Sequence, residues 1–233
     1  MTLADHCYDL IRSDIVTGVL PPGQPLKMDA LKVRYGAGFS PLREALNRLQ
    51  ADRLVDLASS RGFRVSSISL EEMWDVIQTR ILIETDAIRK SIQYGDDRWE
   101  IDVVSSLHAL SLQSQRLNEL DRPATNEEIL SLEKRHSAFH KALIASCQSQ
   151  WLLSFAEKLY VETERYRFPI LTDRKLNKKR NLNDEHTRLA NAVTSRDADG
   201  AAALIEAHLL KTGETLENNF EIIFPDQNQL AAG

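Results

Sequence analysis

Four of the six histidines have spacings and neighbours that would let them bind one divalent metal ion. His136 and His140 are four residues apart in a segment with helical periodicity, so both imidazoles would project from one face about one turn apart. His186 and His208 lie in two later helical segments, each flanked by apolar residues of the face expected to point inward. The four side chains could therefore converge inside a bundle, either as metal ligands or as hydrogen-bonded core histidines. Spacing alone leaves both interpretations open.

An arginine of the same region has two possible roles. Arg80 follows Ile77 and precedes Ile81, and Glu84 lies four residues further on. An arginine near a core needs an anionic partner, and its guanidinium can hold a carboxylate through two parallel hydrogen bonds. The sequence is equally compatible with an internal ion pair to Glu84 and with contact to a bound carboxylate effector. Two further arginines are candidates for the same pocket, and helical phase does not choose between them: Arg165 and Arg167.

A cationic segment near the N-terminus has the features of a DNA-reading helix. Ser40 is predicted to be the N-cap and Pro41 the first helical residue, because proline already has a helical φ and its missing N–H would be unpaired there. Leucines and an alanine recur at three- and four-residue steps between residues 42 and 54 and form one apolar stripe. Polar side chains at or beyond the edges of this stripe are available to phosphates and bases: Arg43, Asn47 and Arg48.

The elements around this helix predict a winged helix-turn-helix. Helical periodicity over residues 3–18 and 28–35 supplies two preceding helices, and residues 55–58 and 62–66 have the composition of two short strands joined by a turn. In such a domain the second helix of the turn enters the major groove, and a hairpin arginine, Arg61 or Arg64, can reach a phosphate or the minor groove. Further phosphate contacts are expected from basic side chains of the same domain: Lys27, Lys32, Arg34, Arg48 and Arg64.

The remainder of the chain reads as helical. Ser69 and Glu72 have capping-box spacing and open a new helix after a boundary at residues 67–69. Six segments with helical periodicity follow: 70–94, 98–119, 126–147, 150–168, 175–195 and 198–220. The predicted fold is therefore mainly α, with a winged helix-turn-helix over residues 1–68 and an all-α antiparallel bundle of six or more helices over residues 69–222. Residues 223–233 are predicted to be a disordered tail.

Composition excludes a membrane protein and allows nucleic-acid binding. No apolar run is long enough to span a bilayer and the N-terminus does not have the form of a signal peptide, so the expected compartment is the cytoplasm. The net charge is −5, but residues 1–68 carry nine Lys/Arg against seven Asp/Glu, so the acidity belongs to the second part. Cys7 and Cys147 are far apart and are expected to be free thiols in the core.

Taken together, these motifs resemble those of the GntR family of transcriptional regulators, with a bundle similar to the FCD-type effector domain of the FadR subfamily. The residues that carry the resemblance appear in this order: Pro41 to Leu46, Arg61-Gly62, Arg80 and Glu84, His136 to His140, Glu185-His186 and Ala207-His208. Three stretches are most similar to the carbon-starvation-induced, glutarate-responsive repressors: Tyr35 to Arg43, Arg135 to His140 and Arg165 to Phe168.

The resemblance implies a homodimer that binds double-stranded operator DNA of two-fold symmetry and releases it when a small organic acid such as glutarate occupies the bundle. It assigns Arg43 to the reading helix and Arg61 and Gly62 to the wing tip. It also assigns a buried divalent ion, Zn or Ni, to three histidines and the residue at position 136: His140, His186, His208 and His136.

This chain departs from the family pattern at two places. Gly38-Phe39-Ser40 stands where the family usually has Ser-Arg-Thr, whose arginine touches DNA, and His136 stands where the family usually has an aspartate. Four neutral imidazoles leave a charge of about +2 on the metal site, which favours a dianionic effector. No catalytic residue is predicted, and the alternatives are a metal-dependent bundle enzyme and a DNA-binding dimer without metal.

Overall fold

A computed structural model describes residues 2–58, 62–172, 176 and 180–225. The N-terminal elements, in chain order, are α1 (Leu3–Val16), β1 (Pro25–Leu26), α2 (Met28–Tyr35), α3 (Phe39–Ala51), β2 (Val55–Ala58) and β3 (Gly62–Val65). The C-terminal elements are α4 (Leu70–Tyr94), α5 (Asp97–Asn118), α6 (Asn126–Ile144), α7 (Gln150–Thr172), α8 (Leu182–Thr194) and α9 (Ala198–Ile223). The prediction of a mainly α protein with an N-terminal winged helix-turn-helix and a helical bundle is confirmed.

The winged unit is built around α3. Leu42, Leu46 and Leu49 are fully buried and pack with apolar side chains of α1 such as Ile11. The hairpin is larger than predicted, because the connector after α1 contributes β1 and the sheet order is β1-β3-β2. Pro25 occupies an edge strand, where its missing N–H costs no sheet hydrogen bond.

The predicted N-cap of α3 is wrong by two residues. Gly38 has the extended conformation of an N-cap, and the helix begins at Phe39, so Ser40 makes no capping hydrogen bond and lies within the first turn. Pro41 is still tolerated because the N–H groups of the first turn have no acceptor within the helix. The consequence is that Phe39 becomes part of the reading helix.

The helical unit buries a continuous core between its six described helices. Side chains at three- and four-residue steps of α4 lie against α9 on one side and α7 on the other, among them Met73, Ile77 and Ile88. Side-chain caps fix where several of these helices begin: the Ser69 hydroxyl accepts from the Glu72 amide, and Thr125 and Glu128 form a complete capping box.

Helix α7 is longer than predicted. A helix end was expected before Pro169, but α7 continues to Thr172 with the proline inside it. Phe168 and Ile170 on either side of the proline are buried in the core, and this burial offsets the lost backbone hydrogen bond. The predicted start of the next helix at residue 175 falls outside the described residues, and α8 begins at Leu182. Of the tail predicted at 223–233, Ile223 belongs to α9 and residues 226–233 fall outside the described residues.

Cys7 and Cys147 are both free and buried, as expected. Among the described helices, none is long and apolar enough to cross a membrane.

Helix α7 also contacts the winged unit. Val161 packs against the core of that unit, and Glu164 pairs with Arg12 of α1. The Arg165 guanidinium donates to the backbone carbonyls of Ser66 and Ser67, at 3.2 and 2.7 Å, in the segment that joins the two units. One helix therefore connects the bundle with both α1 and the linker.

Candidate metal centre, ligand pocket and DNA-reading helix

The four histidines singled out in the sequence meet inside the bundle. His136 and His140 come from α6, His186 from α8 and His208 from α9. One ring nitrogen of each lies within 4.8 Å of the corresponding nitrogens of the other three, and the Nε2 atoms of His136 and His140 are 3.1 Å apart. His136 is partly buried and the other three are buried.

The outer nitrogens of three of these rings face oxygen groups. His136 Nδ1 is 2.7 Å from the Tyr160 hydroxyl, which itself donates to Glu133. His208 Nδ1 donates to Glu185 Oε2 at 2.9 Å. In both rings the proton is therefore held on Nδ1, which leaves the Nε2 lone pair for a ligand. His140 Nδ1 lies 3.9 Å from Glu84 Oε2, too far for a hydrogen bond but close enough for electrostatic attraction.

Each of the three carboxylates behind the histidines is paired with an arginine. The pairs are Glu84 with Arg80 at 2.6 Å, Glu133 with Arg167, and Glu185 with Arg180 at 2.7 Å. Burial alone would raise the carboxyl pKa, but Arg80 and His140 lower that of Glu84 to about 2. Burial likewise opposes ionisation of Glu185, and its hydrogen bonds from His208 and Arg180 lower its pKa to about 2. The Glu84 and Glu185 carboxylates are consequently ionised and already neutralised by an arginine.

The histidines themselves are neutral. Burial lowers the pKa of His140, and it lowers the pKa values of the other three well below the usual value for histidine: His136, His186 and His208. Neutral imidazole is the form that binds a metal ion.

The donor set fits a divalent transition metal. Four neutral nitrogens lie at nearly the spacing of ligands that share one ion at about 2.0–2.1 Å, and imidazole ligands suit Zn, Cu and Ni. His186 Nε2 is buried without a hydrogen-bond partner within the described residues, an arrangement that is costly unless another group satisfies it. A bound ion would satisfy that nitrogen.

A pocket of about 80 Å³ opens onto one side of the histidines. Its wall contains three of the histidines together with Arg167 and Arg180, aliphatic side chains such as Leu132 and Leu216, and uncharged polar side chains such as Asn183 and Thr215. A second pocket of about 250 Å³ lies on the side of His140, Glu84 and Tyr160 and is otherwise largely apolar. The histidine cluster thus separates two cavities, and arginines line the first of them, where Arg167 and Arg180 are each paired with a glutamate.

The structure places Arg80 in the internal ion pair. Its side chain is fully buried, its Nε donates to Glu84 at 2.6 Å and its Nη1 donates to Thr163 at 2.8 Å. Arg80 lines neither pocket, so the geometry does not support the expected effector contact. Of the two further candidates, Arg167 lines the pocket, whereas Arg165 binds the linker.

Arg180 was missed by the sequence analysis. It precedes α8, so no helical periodicity links it to the histidines, and its role depends on contacts with Glu185, Thr212 and the His208 carbonyl. The only sequence signal is a basic residue five positions before Glu185.

The exposed face of α3 carries the predicted DNA-binding side chains. Arg43, Ser40 and Asn47 border one open groove, and within the described residues no hydrogen bond or ion pair engages the Arg43 guanidinium. Arg48 donates to Asp5 at 2.7 Å and Arg34 donates to Asp14 at 2.7 Å, so both are held by carboxylates of α1.

The wing is described in part. Gly62 begins β3 and Arg64 is exposed on the same strand, whereas Arg61 lies outside the described residues.

Comparison with known proteins matches both units. The family described as bacterial regulatory proteins, gntR family, matches residues 3–65, and the FCD domain matches residues 75–211. The chain is 38% identical over 208 residues to the uncharacterized HTH-type transcriptional regulator BphR of Paraburkholderia xenovorans, covering 89% of this chain and 82% of that protein. It is 37% identical to the HTH-type transcriptional repressor GlaR of Escherichia coli, covering 87% and 90%.

Two solved structures share the fold at low sequence identity. A putative transcriptional regulator GntR from Rhodococcus sp. RHA1 superposes with a TM-score of 0.72 at 16% identity, over 94% of this chain and 99% of that one. McbR/YncC of Escherichia coli superposes with a TM-score of 0.67 at 18% identity, over 97% and 98%.

Proposed function

Because the chain belongs to the GntR family of bacterial transcriptional regulators and carries an FCD effector domain, we propose that it is a metal-dependent, ligand-released repressor. Residues 1–68 would bind operator DNA as part of a homodimer, and residues 69–222 would bind a small dicarboxylic acid such as glutarate beside a divalent ion, Zn or Ni. The named relatives are regulators and not enzymes, which agrees with the prediction that the chain has no catalytic function.

The observation that carries this proposal is the meeting of four neutral histidine nitrogens within 4.8 Å. The three nearby carboxylates are each neutralised by an arginine, so they cannot offset the charge of an ion bound by the imidazoles. A divalent ion there would supply a Lewis-acidic position with a charge of about +2, which attracts an anionic ligand.

The pocket beside the histidines matches a short dicarboxylate. Arg167 and Arg180 line it, and Arg167, whose Nη2 donates to Glu133 while its Nε has no partner within the described residues, has N–H groups left to bind a carboxylate oxygen. The aliphatic side chains of the wall suit a chain of methylene groups, whose burial is favourable. The basic and aliphatic parts of the lining together suit a small acid with a short hydrocarbon spacer.

The chain offers a direct connection between this pocket and the DNA-binding unit. Tyr160 and Arg167 of α7 contact Glu133 at the site, and Glu164 and Arg165 of the same helix contact α1 and the linker. A ligand changes DNA affinity only if it binds two arrangements of the protein unequally, typically by about 1–3 kcal/mol. A shift of α7 would change both sets of contacts at once.

The first test measures metal content in untagged protein purified without chelators. We expect about one Zn or Ni ion per chain, and we expect it to be lost in His208→Ala but retained in the control His108→Ala, whose histidine is exposed on α5. Retention of the ion in His208→Ala would refute the assigned site. Absence of metal from the wild-type protein as well would favour the alternative of a DNA-binding dimer without metal.

The second test measures release from DNA. The probe is a duplex selected by the wild-type protein from a random pool, and binding is followed by fluorescence anisotropy with and without glutarate. We expect glutarate to weaken binding about 5- to 150-fold in the wild type and not in His208→Ala. Pentanoate, a monoacid of equal chain length, is the matched control and should act weakly. Equal affinity with and without each dicarboxylate from malonate to pimelate would overturn the effector assignment.

A further inference from the structure

An aromatic side chain is exposed at the start of the reading helix. Phe39 is the first residue of α3 and is 54% exposed, whereas the apolar residues of the opposite face of this helix are fully buried. It cannot be part of the core, because the core stripe of α3 is already formed by residues such as Leu42 and Leu46.

Phe39 belongs to a row of side chains that faces outward with it. Arg43 and Asn47 follow at four-residue steps, so the three lie on one ridge of the helix. The Arg43 guanidinium carbon is 5.9 Å from the centre of the Phe39 ring, and all three residues line the same open groove. The ring thus lies beside Arg43, a side chain type that commonly reads a guanine through two hydrogen bonds.

Other side chains on the face are less available. Arg48, at the far end of α3, is held by Asp5 and lies over the Tyr8 ring at 4.4 Å. Phe39 and Arg43, which make no hydrogen bond or ion pair through their side chains within the described residues, thus lie in the N-terminal half of α3. In helix-turn-helix proteins, residues in this half of the recognition helix contact base edges.

The major groove contains one prominent apolar feature, the 5-methyl group of thymine, and phenylalanine is among the side chains that contact it. We propose that Phe39 packs on a thymine methyl group in the operator, within about two base-pair steps of the guanine read by Arg43, since four helical residues rise about 6 Å. This inference rests on the proposed placement of α3 in the major groove. The family usually has at this position a polar residue that touches DNA. Phe39 would instead recognise a base through an apolar contact.

The test removes one methyl group from the DNA. The probe is the duplex selected from a random pool by the full-length wild-type protein, remade with deoxyuridine in place of each thymine in turn. At one or more thymines near a selected guanine, we expect wild-type affinity to fall about fourfold, the effect of losing one buried methyl group. In Phe39→Ala, thymine and uracil probes should bind equally, and affinity for the thymine probe should be lower than in the wild type.

Two variants serve as controls. Phe39→Leu keeps an apolar side chain and should retain part of the preference for thymine. Leu57→Ala removes a similarly exposed apolar side chain of the hairpin, 58% exposed, and should leave the thymine preference at its wild-type value.

The outcomes separate this inference from the proposed function. Failure of the wild-type protein to enrich any sequence would remove the proposed operator binding itself. Enrichment of a sequence whose uracil variants all bind normally would leave operator binding intact and overturn the thymine contact. An unchanged thymine preference in Phe39→Ala would also overturn it, including the case in which that variant changes the oligomeric mass and so assigns Phe39 to a protein interface.

Discussion

The histidine centre and the reading helix both depend on arginines, but they use them in opposite ways. Around the histidines, Arg80, Arg167 and Arg180 are withdrawn from solvent and each is paired with a glutamate. On the reading helix, the Arg43 guanidinium is exposed and is left unpaired within the described residues. Arginine is therefore paired within the protein in one region and left available to an incoming ligand in the other.

The difference follows from the surroundings. A charged side chain removed from water needs an oppositely charged partner, as Arg180 needs Glu185. The partner also fixes neighbouring groups, since the Glu185 carboxylate orients His208 by accepting a hydrogen bond from its Nδ1. A charge left in water costs little and stays available to an incoming phosphate or base. Burial thus predicts which arginines affect stability when they are removed and which affect DNA binding.

The largest expected effect is on stability, from Arg80→Ala. This change leaves the buried Glu84 carboxylate without its cation, and we expect the free energy of unfolding to fall by about 3–5 kcal/mol in urea titrations followed by circular dichroism. The control is Arg89→Ala on the same helix, whose pair with Asp199 is exposed and should contribute no more than about 1 kcal/mol. Equal losses in the two variants would contradict the distinction between buried and exposed pairs.

The next effect is on DNA recognition, from Arg43→Ala. Loss of a bidentate guanine contact is expected to cost about 1–3 kcal/mol, or roughly 5- to 150-fold in affinity for the selected duplex. Stability should stay within about 0.5 kcal/mol of the wild-type value. Anisotropy titrations on the selected and a scrambled duplex provide the measurement. A loss of the same size on both duplexes would show that Arg43 contacts phosphates and not a base.

A pH-dependent effect is expected at the junction of the two units. Burial raises the pKa of Glu162 to about 6, so this carboxylate is destabilising when ionised. Its contribution is most favourable below the unfolded pKa of 4.5 and is lost as the pH rises through 6. Glu162→Gln should therefore raise the free energy of unfolding by about 2 kcal/mol at pH 7.5, with a gain that disappears near pH 4.5.

The control for this effect is Glu157→Gln, an exposed position on the same helix whose pair with Lys141 should contribute no more than about 1 kcal/mol. Urea titrations at several pH values compare the two variants. A gain for Glu162→Gln that is the same at pH 4.5 and 7.5 would argue against ionisation as its cause.

The smallest effect concerns Arg48, which combines features of both regions because it is exposed but paired. Arg48→Ala should weaken binding to all duplexes uniformly and lower the slope of log affinity against log salt by about 1, the signature of one phosphate contact. Asp5→Asn frees the same guanidinium and should shift affinity slightly in the opposite direction. If Arg48→Ala instead altered sequence preference, Arg48 would belong with Arg43 among the base-reading groups.

Sequence periodicity was sufficient to predict the fold and to predict that the four histidines could converge. His136 and His140 share a helix, and the apolar stripes of the later helices orient His186 and His208 inward, so local pattern already contained their convergence. The functions of the arginines were not predictable in the same way. From the sequence, Arg80 could pair equally well with Glu84 or with a bound carboxylate, and Arg180 lies outside any periodic segment. Only the tertiary contacts show which groups these arginines bind.

The start of α3 could not be predicted for a related reason. Ser40 and Pro41 have strong local preferences for a helix start, yet Gly38 adopts the capping conformation and Phe39 joins the helix. Sequence preferences identify an element more reliably than they locate its first residue. Here a shift of two residues decides whether an aromatic ring belongs to the reading surface.

The contact between Arg165 and the linker has an evolutionary consequence. The Arg165 guanidinium donates hydrogen bonds to the carbonyls of Ser66 and Ser67, but it lines neither the ligand pocket nor the groove on α3. On the coupling proposed here, a substitution at this position alters how strongly the regulator responds while the acid it senses and the site it recognises stay the same. The strength of the response and its specificity would then depend on different residues. Selection could therefore change the effector concentration at which a promoter responds without changing the effector or the operator.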